Sequence, residues 1–331
     1  MYIAELAPAA YRGRLVAVTQ FNIVLGILAA FFSNYQITKL ALGQVEWRWM
    51  FGVEALPAAL LFILLFFNPL SPRWLIGQGR LEEAAKVLDA CGTDAGSVEE
   101  EIDEIKKSLD VEHHQLDEPF FCGAYKRPIM LAVAIAMFNQ LSGINALMYY
   151  APSIFKLAGA GKESALLQTV SVGGTNLLFT LAAMLIIDHF GRRRLMIVGS
   201  IGYILSLGTT AGAFLVYGSN FDETGSMVVL ISLLVFIASH AFGQGAVIWV
   251  FISEIFPNRV RARGQALGSF THWIMAAIIS WTFPMIAAAS GGYAFAFYAL
   301  CMVGQLLWVI YLMPETKGVS LEEIQRELGI E

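Results

Sequence analysis

Long stretches without charged residues alternate with short charged segments along the whole chain. A helix that crosses the roughly 30 Å hydrocarbon layer of a bilayer needs about 20 mainly apolar residues. Seven stretches are long enough: 15–38, 49–72 (interrupted only by Glu54), 128–155, 164–187, 195–221, 224–253 and 264–314. The last one contains Ser290, Gly291 and Gly292, which predict a break and therefore two helices. The pattern predicts an all-α polytopic membrane protein with eight transmembrane helices.

The composition agrees with a membrane protein and argues against several other classes. The 331 residues are 57% hydrophobic and 14% charged, whereas soluble domains carry about 25% charged residues. A net charge of -5 provides no basic surface for nucleic acid. The cysteines Cys91, Cys122 and Cys301 are far apart and lack the spacing of a metal site. Because no catalytic triad or paired catalytic carboxylates are apparent, we expect no enzyme, no cofactor and no bound metal.

Positive residues are concentrated on one side of the predicted spans. Lysine and arginine are retained on the cytoplasmic side of a membrane. Of the 21 such residues, 17 lie on one side, in the terminal segments and in connections such as 73–127. The other four lie on the opposite side: Lys39, Arg48, Lys156 and Lys162. We therefore expect both termini and residues 73–127 to be cytoplasmic, in a protein of the bacterial inner or plasma membrane.

Three charged segments outside the spans have helical patterns. Residues 81–88 have helical apolar spacing. Ser97 and Glu100 form a capping box before a stripe of Val98, Ile102, Ile105 and Leu109, and Ser320 and Glu323 form another before Leu321, Ile324 and Leu328. The sequence predicts three short cytoplasmic helices, and the simplest role for them is to brace that face.

The chain also contains an internal repeat. Residues 5–12 resemble residues 254–261, and residues 69–73 correspond to residues 314–318 at the end of a span. Two predicted spans separate the paired motifs in each copy. Four further spans precede the motif in the second copy and none precedes it in the first. We interpret this as a six-plus-six repeat of which this chain lacks the first four helices.

Five motifs in order resemble those of the sugar porter family of the major facilitator superfamily. They are residues 69–75, 140–145, 149–152, 188–193 and 314–318. The resemblance covers the whole chain. Within this family, the chain is similar to bacterial xylose/proton symporters and animal facilitative glucose transporters. It implies a major facilitator fold of which this chain holds eight of twelve transmembrane helices.

The repeat and the resemblance together predict four parts. Residues 1–72 hold the last two transmembrane helices of the amino-terminal half, and residues 73–127 form a cytoplasmic helical linker. Residues 128–314 form the carboxyl-terminal six-helix bundle, and residues 315–331 form a cytoplasmic helix. Parallel repeats of six helices are the arrangement found in major facilitator transporters.

Polar side chains inside the spans are mostly amides and not carboxylates. An amide both donates to and accepts from a sugar hydroxyl, and a tryptophan can cover the C–H face of a sugar ring. The candidate substrate-binding residues are Gln20, Asn139, Gln140, Asn145, Asn176, Trp249, His272 and Trp273. Hydrogen bonding between helices is the alternative role for any one of these amides. The residue types favour a neutral, hydroxyl-rich ligand.

The family resemblance assigns sugar contacts to a subset of these residues. They are Gln20, Gln140, Asn145, Asn176 and Trp249. Asn139 stands where a second glutamine is usual, Ala241 where a glutamate is common, and His272 where asparagine or glutamine is usual. An ideal helix separates Gln140 and Asn145 by about 140°, so both can line one cavity only if the helix unwinds locally. Gly143 and Pro152 favour such unwinding.

Charged residues at the predicted cytoplasmic span ends suggest a conformational latch, because carboxylate and guanidinium groups can hold helix ends together. The candidates are Glu5, Arg12, Asp188, Arg192, Arg193, Glu254 and Arg261. By resemblance their role is to stabilise the outward-facing state. Plain interfacial anchoring is the alternative. Leu70 occupies the usual position of a further latch glutamate.

The sequence as a whole predicts a monomeric monosaccharide transporter that works by alternating access, with a sugar, protons and the lipid bilayer as its partners. We expect proton symport in the full-length protein, where the family's coupling aspartate lies in the first helix. A facilitative uniporter, a non-transporting sugar sensor and an inactive truncated product are the alternatives.

Overall fold

The computed structural model describes residues 2, 6, 9–91, 97–115, 119–218, 220–319 and 321–330. Within these ranges it describes all side chains except those of residues 9–17, 108–115, 187–189, 258, 321 and 322. The described part of the chain is helical and contains no β-strand. This confirms the predicted all-α class.

Fifteen α-helices are described, and we number them in chain order. They are α1 (Ala9–Lys39), α2 (Glu46–Gly52), α3 (Ala55–Leu65), α4 (Pro72–Gly77), α5 (Leu81–Cys91), α6 (Val98–Gln115), α7 (Lys126–Leu141), α8 (Ile144–Leu157), α9 (Lys162–Phe190), α10 (Arg192–Tyr217), α11 (Glu223–His240), α12 (Ala246–Ile255), α13 (Asn258–Ala289), α14 (Gly291–Tyr311) and α15 (Leu321–Leu328). Short 3₁₀ turns cover Gly43–Val45 and Gly123–Tyr125.

Eight helical segments are long and apolar enough to cross a membrane, as the hydropathy pattern predicts. They are Val18–Lys39, Gly43–Leu65, Gly123–Leu157, Lys162–Ile186, Arg192–Tyr217, Glu223–Ile255, Arg259–Ala289 and Gly291–Tyr311. The predicted break in the last apolar stretch is present, because Ser290 has an extended backbone (φ −166°, ψ 125°) between α13 and α14. The predicted number of spans is confirmed.

Three of the eight spans are not continuous α-helices. The second is divided between α2 and α3, and the third between α7 and α8. In the sixth span a π-helical segment, Ala241–Gly245, joins α11 to α12, and Gly243 within it has a non-helical backbone. Irregular backbone inside a membrane is tolerated where it is buried in protein or borders a water-filled cavity. We therefore expect each interruption to be buried in protein or to border a water-filled cavity.

The chain divides into two compact units. Unit 1 comprises residues 1–26 and 41–119. Its short helices α4, α5 and α6 share a small core of Leu75, Ile76, Ala84, Leu88 and Ile102. The Ser71 hydroxyl accepts a hydrogen bond from the Trp74 N–H at 3.3 Å, and the Ser97 hydroxyl accepts one from the Glu100 N–H at 3.2 Å. These caps begin α4 and α6, and the second confirms half of the predicted capping box.

Unit 2 comprises residues 27–40 and 120–331. One buried cluster joins α8, α10, α11 and α14 through large side chains such as Tyr203, Phe236 and Tyr298. A second cluster joins α7, α12 and α15 through Leu131, Phe251, Ile324 and Leu328, among others. The terminal helix α15 is therefore packed against the ends of the spans, as expected of a bracing helix. Ser320, its predicted cap, lies outside the described residues.

Candidate functional site

A sharp break in the third span positions its polar residues. Gly143 has φ +82°, a left-handed conformation that suits glycine. The Ser142 hydroxyl donates to the Asn139 carbonyl at 2.6 Å and accepts from the Ile144 N–H at 3.3 Å, so it supports both sides of the break. A Cβ atom at position 143 would lie 2.5 Å from the Tyr298 ring. The predicted local unwinding between Gln140 and Asn145 is confirmed.

Gln140 lies just before this break and is completely buried. Its amide nitrogen donates to Asn139 Oδ1 at 3.0 Å and lies 3.2 Å from Nε2 of His272. Its carbonyl oxygen Oε1 is buried and has no hydrogen-bond partner among the described residues. Because an unpaired buried acceptor is costly, this oxygen is suited to a ligand that donates a hydroxyl proton.

Aromatic rings surround the histidine that contacts Gln140. The ring centroids of His272 and Trp249 are 5.2 Å apart, and those of His272 and Trp273 are 5.1 Å apart. Trp249 is 39% exposed and Trp273 is 61% exposed, so both indoles keep a free face. We call Asn139, Gln140, Trp249, His272 and Trp273 the polar-aromatic cluster. It combines an unpaired acceptor with apolar ring faces and carries no charged side chain.

The remaining predicted substrate residues are not joined to this cluster by hydrogen bonds within the described part of the chain. Asn145 lies on α8 after the break and is half-buried. Asn176 lies in the middle of α9 and is 9% exposed. Gln20 is exposed on α1, in the part of that helix that belongs to unit 1. The structure therefore brings five of the eight candidates into one group.

A second site lies where α10 begins. The Arg192 guanidinium binds the Glu254 carboxylate through two hydrogen bonds, Nη2 to Oε1 at 2.8 Å and Nε to Oε2 at 3.2 Å. The Thr316 hydroxyl donates to the same carboxylate at 2.6 Å. The Arg192 and Glu254 side chains are 12% and 24% exposed. Paired guanidinium and carboxylate groups of this geometry are among the stronger polar contacts in proteins.

Glu315 binds the backbone at the same helix start. Its carboxylate accepts the N–H groups of Arg192 at 2.8 Å and of Arg193 at 3.2 Å. Gly191 has φ +84°, and a Cβ atom there would lie 2.7 Å from a Glu315 oxygen. A carboxylate at a helix N-terminus satisfies free N–H groups and complements the helix dipole. We call Arg192, Glu254, Glu315 and Thr316 the helix-end network.

The other predicted latch residues contribute differently or fall outside the described atoms. Arg193 donates its guanidinium to the carbonyls of Val309, at 3.2 Å, and Ile310, at the end of α14. Nε of Arg261 is buried without a hydrogen-bond partner among the described residues. Glu5 and the side chains of Arg12 and Asp188 lie outside the described part of the structure.

Sequence reasoning missed several polar residues that the structure brings together. Glu315 and Thr316 belong to a recognised motif but were not expected in the latch. Inside the bundle, Gln244 donates to Gln305, which donates to the Ser200 hydroxyl at 2.7 Å. These amides are as unusual within spans as Gln140, and that polarity was the available signal.

Known proteins resemble this chain over nearly its whole length. A sequence profile described as sugar (and other) transporter matches residues 1–328. The D-xylose-proton symporter of Escherichia coli strain K12 is 37% identical over 336 residues, which cover 98% of this chain and 67% of the symporter. An inward open structure of the xylose transporter from E. coli superposes with a TM-score of 0.83 at 35% identity and covers 99% of this chain and 68% of that one. The proton:xylose symporter bound to 6-bromo-6-deoxy-D-glucose gives 0.74 at 36% identity, covering 99% and 69%.

Proposed function

This chain belongs to the sugar (and other) transporter family, and we propose that it carries a neutral monosaccharide across the cell membrane by alternating access, in symport with protons. The observation that carries the proposal is the buried, unpaired carbonyl oxygen of Gln140 beside the exposed faces of Trp249 and Trp273. A sugar supplies what this cluster lacks, because its hydroxyls donate hydrogen bonds and its C–H face packs on an indole.

Each member of the polar-aromatic cluster has a distinct proposed role. Gln140 Oε1 accepts a sugar hydroxyl, and its amide nitrogen stays bound to Asn139 and His272. Trp249 and Trp273 cover the ring, and His272 holds the amide in place between them. Asn145 and Asn176 complete the proposed set of sugar contacts within unit 2, and Gln20 is a separate proposed contact within unit 1. A cluster without charged side chains favours an uncharged substrate, because a charged one would be desolvated without a counter-charge.

The relatives narrow the proposed substrate class. One relative is named for D-xylose and protons, and a related structure holds a substituted glucose. We infer that this chain takes an aldopentose or aldohexose, and that the sugar enters with a proton. Facilitative uniport is the competing hypothesis. The two differ in whether sugar entry acidifies the receiving compartment.

The helix-end network is proposed to act as a conformational latch that stabilises the outward-facing state. It joins three separate elements, the start of α10, the end of α12 and the segment after α14. In the proposed orientation these ends and both termini lie in the cytoplasm, where the positive-inside rule places their arginines. The proposed functional unit is a monomer.

A binding experiment on Gln140 tests the substrate proposal. In the intact protein that contains this chain, Gln140→Ala is expected to weaken binding of D-xylose or D-glucose by about 5-fold to 150-fold, the equivalent of one lost hydrogen bond to a buried group. Isothermal titration in detergent measures the affinity, and thermal melting reports the fold. Gln168→Ala is the matched control, because the hydrogen bond from the Gln168 amide to the Ser164 hydroxyl is exposed.

The outcomes separate the two roles of the amide. Weaker binding with an unchanged melting temperature supports sugar contact. A lower melting temperature with unchanged affinity supports interhelical bonding and refutes the proposed role of Gln140. A proton signal that accompanies sugar uptake in proteoliposomes supports symport, and its absence supports uniport.

A further inference from the structure

A cavity separate from the polar-aromatic cluster lies in unit 2 where α7 begins and where α14 and α15 end. Its volume is about 520 Å³, within the range of ligand pockets. The residues that line it are Gly123, Ala124, Lys126, Arg127, Met130, Leu131, Ala134, Trp308, Tyr311, Leu312, Leu328 and Gly329. No proposed sugar contact is among them, so a ligand of this cavity would be distinct from the transported sugar.

One wall of the cavity is basic. Lys126 and Arg127 stand on the first turn of α7, and both side chains are exposed. Arg127 Nη1 donates to the Glu327 carbonyl at 2.5 Å, which leaves its other N–H groups for a ligand. Lys126 makes no hydrogen bond or ion pair within the described part of the chain. Two adjacent cations, one of them uncommitted, suit a phosphate group.

The opposite wall is apolar and open. Met130 and Tyr311 belong to candidate membrane-spanning helices and are 61% and 77% exposed. Leu312, which directly follows α14, is 60% exposed. Trp308 is held against the Phe138 ring with centroids 5.8 Å apart. Tryptophan and tyrosine are enriched at the level of lipid headgroups. The cavity therefore continues from a basic rim at the span end onto a surface that faces acyl chains.

We propose that this cavity binds an anionic phospholipid of the adjacent leaflet. Its phosphate lies between Lys126 and Arg127, and one acyl chain runs along Met130, Ala134 and Leu312. A soluble phosphate would use the basic rim and leave the apolar wall without a partner.

Lipid titration of the purified intact protein tests this proposal. Native mass spectrometry counts dioleoylphosphatidylglycerol bound to the protein, with dioleoylphosphatidylcholine as the matched zwitterionic lipid and inorganic phosphate as the soluble anion. We expect the anionic lipid to bind more tightly than either. Lys126→Gln with Arg127→Gln should weaken its binding by roughly 10-fold or more, since each basic residue near an anionic lipid contributes about 5-fold.

Two further variants keep the experiment decisive. Lys126→Gln alone retains the Arg127 bond to α15 and should still weaken anionic-lipid binding, whereas Lys126→Arg should restore it. Lys106→Gln with Lys107→Gln removes the same charge from exposed positions on α6 and should leave lipid binding unchanged. Equal binding of both lipids, or equal loss in the α6 control, would overturn the proposal. Phosphate that binds as tightly as the lipid would show a soluble-anion site and overturn it as well.

Discussion

The helix-end network offers the most direct test of how this protein changes conformation. Glu254→Gln keeps the shape of the side chain and removes its charge. In the structure the Glu254 carboxylate accepts two hydrogen bonds from Arg192, at 2.8 and 3.2 Å, and one from Thr316, at 2.6 Å. The variant removes the negative charge that Glu254 places beside the Arg192 guanidinium, whose side chain is 12% exposed.

The expected magnitude follows from the bonds that change. Hydrogen bonds to a charged group contribute about 1.5–3 kcal/mol and neutral ones about 1 kcal/mol. The glutamine amide can still accept one bond, so we expect a loss of about 1–3 kcal/mol from whichever state holds the network. This corresponds to roughly a 5-fold to 150-fold change in a two-state equilibrium. If the network stabilises the outward-facing state, the inward-facing population should rise by that factor.

Cysteine accessibility can detect this shift in the intact protein. The native cysteines, including Cys91, Cys122 and Cys301 of this chain, are replaced by serine. A reporter cysteine is then introduced at Tyr149, an exposed position on α8. Labelling by a membrane-impermeant maleimide from the outer side should slow in Glu254→Gln. Glu163→Gln is the matched control, because Glu163 is 64% exposed and its ion pair with Lys39 is 3.9 Å long.

The competing hypothesis is a static brace within unit 2. A brace predicts a lower melting temperature for Glu254→Gln and the same labelling rate as in the parent. That combination would refute the latch and return Arg192 and Glu254 to a structural role.

Two further predictions concern the break in the third span and the short helices of unit 1. Gly143→Ala should lower the melting temperature by an amount equivalent to about 1–3 kcal/mol. The added Cβ atom would lie 2.5 Å from the Tyr298 ring, and the backbone at this position has φ +82°. Gly174→Ala is the control, because its added Cβ meets no atom within 4 Å. In unit 1, the hydrogen bond from Arg80 lowers the pKa of Glu83, so this pair should contribute stability above the ordinary glutamate pKa and lose it as pH falls through the lowered value. Glu83→Gln should therefore reduce the fall in melting temperature as pH is lowered through the glutamate range. The same fall in the variant and the parent would contradict this.

Hydropathy was sufficient to predict the spans, because a segment that crosses the bilayer must satisfy its own backbone hydrogen bonds as a helix. Such a helix needs about 20 mainly apolar residues, which the sequence shows directly. The break at Gly143 was also accessible from sequence, because Gln140 and Asn145 cannot share a face of an ideal helix. The contact between Glu315 and the start of α10 could not be predicted from the sequence. It depends on how the chain folds back to bring the Glu315 carboxylate to the free backbone N–H groups of that helix. Gln244 and Gln305 are likewise paired across distant helices, and no local pattern records that pairing.

Two spans of unit 2 combine an irregular backbone with a buried amide side chain. The third span is broken next to Gln140, and the sixth contains a π-helical segment that includes Gln244. Both amides are fully buried, and each has a carbonyl oxygen without a partner among the described residues. If a broken span rotates one half against the other, the proposed bond between a sugar hydroxyl and Gln140 would stabilise one arrangement of the halves over another. Differential binding of this kind is the condition under which a ligand can shift a conformational equilibrium.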